Sequence, residues 1–150
     1  MTVVDEGLTG LRVLVTGGSR GLGEATARRF AAAGATAVLT ASRTAPPGDP
    51  PATFIPVDLR SEKGAADLGR RVLESVGGID VLVNNAGASS APVPTLQRSH
   101  ASCHGDLEMN LPSAVRIDRV LVPGMIERVG VVVHVSSIAS RLTGLIENPQ

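Results

Sequence analysis

Apolar residues in this chain gather in short runs, each followed by a small or polar residue. Leu11, Val13, Leu14 and Val15 lead into Thr16-Gly17-Gly18. Runs at 37–40, 53–57, 79–83 and 131–135 repeat the habit, ending at Ala41, Asp58, Asn84 and Ser136. These runs show no in/out alternation, which predicts strands covered on both faces. Between them the apolar positions take helical spacing. Residues 22–33 predict a helix stopped by Gly34, and Ser61 caps another that runs to about 76 and closes at Gly77-Gly78. A third helix is predicted over about 106–129. The proline-rich segment 45–52 (APPGDPPA) predicts a loop, and Pro56 marks the strand at 53–57 as an edge. Strand and helix therefore alternate along the chain. The expected fold is α/β: a doubly wound parallel sheet in three layers, α/β/α, with right-handed crossovers, formed by 1–150 as a single domain.

Composition narrows the function classes. The chain has 150 residues, 43% hydrophobic and 19% charged, enough for a real core. Its formal net charge is zero, so nucleic acid and anionic membrane are not expected partners. No apolar run approaches the roughly 20 residues of a membrane span. The opening MTVVDEGLTG has two acids and no basic region, unlike a secretory signal. Cys103 is the single cysteine, which fits a reducing compartment and a cytoplasmic location. Arginines outnumber lysines thirteen to one, Lys63 being the lysine, and there is no tyrosine.

The first strand–turn–helix carries TGGSRGLG, which makes Gly17, Ser19, Arg20, Gly21, Leu22 and Gly23 candidate cofactor contacts. Glycines there let the backbone approach a pyrophosphate, and the helix N-terminus offers N–H donors. A glycine-rich turn alone is weak; its position between strand and helix is what the motif demands. An NAD site often shows an acid after the second strand, whereas this chain has Ser42-Arg43 there and Arg20 in the glycine loop. That pattern favours a 2′-phosphate, hence NADP(H), with NAD(H) possible and two solvated arginines as the alternative. Asp58, followed by Leu59, either accepts from an adenine amino group or is a dipole-favoured acid near a helix start. Asn84-Asn85-Ala86-Gly87 alone is a turn, although its amides can tie neighbouring loops and its small residues admit a cofactor.

Together these pieces resemble the short-chain dehydrogenase/reductase family from about Leu11 to Arg141. The likeness rests on TGGSRGLG, Asp58-Leu59, NNAG, Asn110 in LEMNLPSAVRI, and VVVHVSS, in matching order and spacing. It implies a Rossmann-like fold with about five of the family's roughly seven strands present. It also implies hydride transfer between a nicotinamide dinucleotide and a small-molecule carbonyl or alcohol, by an enzyme that is usually homo-oligomeric. By the resemblance, Asn85, Ala86 and Gly87 contact cofactor, and Ser136 faces it. Asn110 would hold a water of the proton relay, and Ser137 would bond the substrate oxygen. The family's Tyr-x-x-x-Lys tyrosine comes roughly a dozen residues after that serine and is the general acid/base. No tyrosine occurs here, and Lys63 lies on another predicted helix. The expectation is therefore an NADP(H)-dependent oxidoreductase chain stopping short of its catalytic motif, inactive alone. The alternative is a non-catalytic dinucleotide-binding module or degraded gene product; a sugar-nucleotide epimerase relative fits NNAG poorly.

Some features depart from the family. Residues 97–105 are polar and basic and break the helical pattern, while Pro112 suits a kink near Asn110. His100, Cys103 and His104 invite a metal, but a polar solvent-facing loop is the expectation, so no metal is assigned. His134 is expected to be a hydrogen-bonded core histidine. Ser136 and Ser137 would otherwise be plain polar strand ends. The strand at 131–135 should present an apolar edge, and the helix around 114–126 an exposed apolar side, which predicts low stability without a companion polypeptide.

Overall fold

A computed structural model describes residues 7–89 and 95–137. The expectations for the N-terminal leader, for the stretch approaching Pro94, and for residues beyond Ser137 fall outside those residues. In chain order the elements are β1 (Arg12–Thr16), α1 (Gly21–Ala32), β2 (Ala37–Ser42), β3 (Thr53–Pro56), α2 (Glu62–Val76) and β4 (Val81–Asn84). A 3-10 turn (Thr95–Gln97), α3 (His100–Asn110), α4 (Pro112–Ile126) and β5 (Val131–His134) follow. The five strands form one parallel sheet in the order β3-β2-β1-β4-β5.

The unbroken valine and leucine runs divide between two faces. Leu14, Leu39 and Leu82 turn one way, onto Leu68 and Val72 of α2 and Ile117 and Leu121 of α4. Val13, Val15, Val38 and Val83 turn the other way, toward Ala27 and Phe30 of α1. That is the three-layer arrangement. Each fully buried leucine, such as Leu14, Leu68 or Leu82 at 0% exposure, contributes about 1.5–3 kcal/mol. β3 is an edge strand, where Pro56 lacks no ladder partner on its outer side. Ser61 caps α2 by accepting from the Gly64 N–H, and Gly77 ends it in the left-handed region at φ 70°.

At the amino ends of the strands, Asp80 receives the backbone N–H, Nε and Nη2 of Arg12 at 2.7–2.9 Å. This pins β4 against β1. The paired guanidinium holds the Asp80 carboxyl below the usual carboxylate range against an opposing push from burial.

Three expectations need correction. The single helix over 106–129 is two helices that meet at Leu111, whose φ of −128° and ψ of −64° break the ladder. Pro112 is the first residue of α4, where its missing N–H costs nothing. The polar stretch before it is also helical from His100, because Ser99 accepts from the Ser102 N–H and Arg98 pairs with Asp106. His134 is not a core residue. It stands on β5, an edge of the sheet, more than half exposed, with Nε2 3.4 Å from Asp118. Val131 and Val133 are exposed beside it, as expected of an apolar edge.

Candidate functional site

The strand order reverses at β1, with β2 on one side and β4 on the other. Loops leaving the carboxyl ends of β1 and β4 part there, the place where open α/β sheets take ligands. A cleft of about 670 Å³ lies at this point, walled by the glycine loop, the ends of β2 and β3, and the β4 exit.

The glycine loop is fitted to its surroundings at two positions. Gly17 has φ +67°, and a Cβ there would come within 2.9 Å of the Ala86 Cα. A Cβ on Gly23 would come within 2.4 Å of both the Asn85 Nδ2 and the Gly17 carbonyl oxygen. Only glycine lets the loop, the β4 exit and α1 close together. α1 begins after Arg20 in extended backbone, and no side chain caps it, whereas serines cap α2 and α3. The first N–H groups of a helix have no intrahelical acceptor. Gly21, Leu22 and Gly23 line the cleft, so the positive end of α1 remains available to an anion.

A clamp between β1 and β4 sets the shape of this floor. The Thr16 hydroxyl, 1% exposed, accepts the N–H groups of Asn85 and Ala86 at 3.1 and 3.0 Å and donates to the Val83 carbonyl at 3.3 Å. Asn85 returns the contact, its Nδ2 donating to the Thr16 carbonyl at 2.9 Å. The expectation that NNAG ties neighbouring loops is met. Its first asparagine, Asn84, serves another purpose: its Nδ2 donates to Asp118 of α4 at 2.7 Å.

The remaining walls carry charge. Arg20, Arg43 and Arg60 line the cleft together with one acid, Asp58. None of the three arginines forms an ion pair with a described residue. No carboxylate stands directly at the end of β2; Ser42 sits there and its hydroxyl meets that of Ser19 at 3.3 Å. Asp58 uses one oxygen to accept the Arg60 N–H at 3.1 Å.

Of the residues expected to contact cofactor, Gly17, Ser19, Arg20, Gly21, Leu22, Gly23, Ser42, Arg43, Asp58, Leu59, Asn85, Ala86 and Gly87 all line this one cleft. Ser136 does not; it is exposed just beyond β5, as is Ser137. Asn110 closes α3 and reaches the β4 exit. Its Nδ2 donates to the Ala88 carbonyl at 2.6 Å, and its Oδ1 accepts the Ala88 N–H at 3.1 Å. It therefore holds the cleft wall without lining it. His100, Cys103 and His104 are solvent-exposed on α3, and no group of three metal-ligating side chains occurs among the described residues. No helix among the described residues is long and apolar enough to cross a membrane. Sequence reading missed Thr16, Arg60 and Met109. A threonine hydroxyl at a strand end was the only available signal, and it pointed to Thr16.

The profile of the short chain dehydrogenase family matches residues 12–148. L-xylulose reductase from Mus musculus is 35% identical over 146 residues, covering 92% of this chain and 57% of that protein. Among solved structures, L-sorbose reductase from Gluconobacter frateurii, complexed with NADPH and L-sorbose, superposes with a TM-score of 0.79. It is 29% identical and covers 91% of this chain and 56% of that one. The NADH-dependent reductase A1-R′, complexed with NAD, superposes with a TM-score of 0.81 at 26% identity, covering 92% and 64%. The chain thus spans little more than half the length of the curated relative it matches.

Proposed function

Because the chain belongs to the short chain dehydrogenase family, we propose that its cleft binds NADP(H) and that the protein carrying it moves a hydride between nicotinamide and a small carbonyl or alcohol compound. The observation that carries the cofactor choice is Arg20 of the glycine loop and Arg43 beside the β2 terminus, neither in an ion pair with a described residue, with no carboxylate directly at that terminus. A 2′-phosphate would be held there by charge-assisted bonds; a bare ribose hydroxyl would lack its usual acceptor. Relatives complexed with NADPH and with NAD both share this fold, so the arginines and not the fold bear on the choice.

The residues present suit a dinucleotide. The uncapped start of α1 takes the pyrophosphate, and Gly17 and Gly23 admit it closely. Asp58 faces the adenine side. The Thr16–Asn85 clamp and the Asn110–Ala88 bonds keep the β4 exit in place beneath the nicotinamide end. The nicotinamide, when bound, would supply or accept the hydride. Ser137 orients the substrate oxygen, and Asn110 holds a water for the proton path. Small ketoses are a natural substrate class to try, since one relative reduces L-xylulose and another L-sorbose.

A second reading, binding without chemistry, is favoured by one fact: these 150 residues contain no tyrosine, and Lys63 is on α2, paired with Asp67. The two readings part in an NADPH-oxidation assay across a panel of ketoses and simple carbonyl compounds. The proposal expects no turnover from these 150 residues alone, and turnover with at least one of them when a segment carrying the family's Tyr-x-x-x-Lys is supplied in trans, cut about 10²–10³-fold by Ser137→Ala. NADPH binding with no oxidation of it by any carbonyl even with that segment added would overturn hydride transfer and leave the binding reading.

A further inference from the structure

Two of the three cleft arginines belong to the glycine loop and the β2 terminus. Arg60 belongs to neither. Its backbone is fixed at both ends: the N–H donates to Asp58 Oδ1 at 3.1 Å, and the carbonyl accepts Arg116 Nη1 at 2.9 Å. Arg116 is itself paired with Glu108 of α3. The Arg60 side chain has no such anchorage. It forms no ion pair with a described residue, and its Nε is buried with no acceptor among them. No carboxylate among the described residues holds this guanidinium, so it can turn toward a ligand group in the cleft it lines.

Its place in the cleft says what that group is. Arg60 lies on the β3 side with Val57, Asp58 and Leu59, while Arg20 and Arg43 lie toward β1 and β2. On the proposed cofactor orientation, the phosphates fall to the latter pair and the base to the former wall. An adenine ring offers Asp58 an amino group at its edge and offers a cation its π face. A planar, weakly hydrated guanidinium stacks on such a face more readily than an ammonium does. We infer that Arg60 is an adenine-contact residue, its guanidinium stacking on the base while Asp58 takes the ring edge. The inference rests on the cofactor reading above and adds to it a residue that recognises the base whatever the ribose carries.

Calorimetric titration of the full chain with NADP⁺, NAD⁺ and AMP tests it, using the wild type, Arg60→Ala and Arg43→Ala. Arg60→Ala should weaken all three ligands by the same factor, about 3- to 30-fold. Arg43→Ala should weaken NADP⁺ and spare NAD⁺ and AMP. Arg60→Gln keeps a planar head without the charge, and it carries the test should the alanine variant fail to fold; its loss should again be equal for the three ligands. Unchanged affinities, or a loss confined to NADP⁺, would overturn the stacking role, the latter making Arg60 a phosphate ligand. A wild type that binds none of the three defeats the cofactor reading itself, and this inference with it.

Discussion

Replacing Thr16 by valine removes one oxygen from the centre of the site and almost nothing else. The hydroxyl is fully buried and serves three partners. Without it the Asn85 N–H keeps a second acceptor, the Val83 carbonyl at 3.0 Å. The Ala86 N–H, bonded to Thr16 Oγ1 at 3.0 Å, loses its acceptor. Stranding such a donor costs about 1–3 kcal/mol, and each further lost bond about 0.5–1.5 kcal/mol. Ala86 is only half-buried, so water recovers part of this. Thr16→Val should therefore destabilise by about 2 kcal/mol, or about 4–8 °C in Tm for a chain of this size. Thr16→Ser is the control. It keeps the hydroxyl and gives up a buried methyl, worth about 0.8 kcal/mol. Urea denaturation of the two variants, with NADP⁺ titration of each, reads both stability and site geometry. Valine should be the worse of the two on both readouts. If valine equals or exceeds serine in stability, the hydroxyl is not holding the β1 and β4 exits together.

Two further outcomes follow from the same geometry. Gly23→Ala forces a Cβ to 2.4 Å from the Asn85 amide and the Gly17 carbonyl, so NADP⁺ affinity should fall at least about 10-fold, measured by calorimetry, as α1 is pushed off the loop. Asp80 has a folded pKa below its ordinary value, so the stability it contributes is fully present above the unfolded carboxylate value of about 4 and is lost as pH falls through the lower folded value. Asp80→Asn should be less stable than wild type at neutral pH, and the gap between their denaturation midpoints should narrow as the solution is acidified below about pH 4. A gap that stays constant would show that the Arg12 pairing adds nothing through charge.

Local physics made the sheet and its glycine loop legible in the sequence. Buried parallel strands must be apolar on both faces, so Val13, Leu14 and Val15 announce themselves, and Pro56 can stand only at an edge. Ser61 and Gly77 are end signals that act within a few residues of their own helix. What could not be read depended on partners far along the chain. His134 looks buried inside VVVHV, but its exposure depends on β5 being an edge. The polar stretch from His100 lacks an apolar stripe, and its helix is secured instead by the Ser99 cap and the Arg98–Asp106 pair. Asn110 was marked by its motif, yet its grip on Ala88, 22 residues away, belongs to the tertiary fold. Arg60 carries no local signal at all; only the convergence of β3, α4 and the cleft singles it out.

The measurement to make before any other is a pair of calorimetric titrations, NADP⁺ and NAD⁺, on the chain and on Arg43→Ala. Charge-assisted bonds to a 2′-phosphate should favour NADP⁺ by about 10- to 100-fold in the wild type, and Arg43→Ala should remove most of that preference. Tighter binding of NAD⁺, or no binding of either dinucleotide, would contradict an NADP(H) site in this cleft.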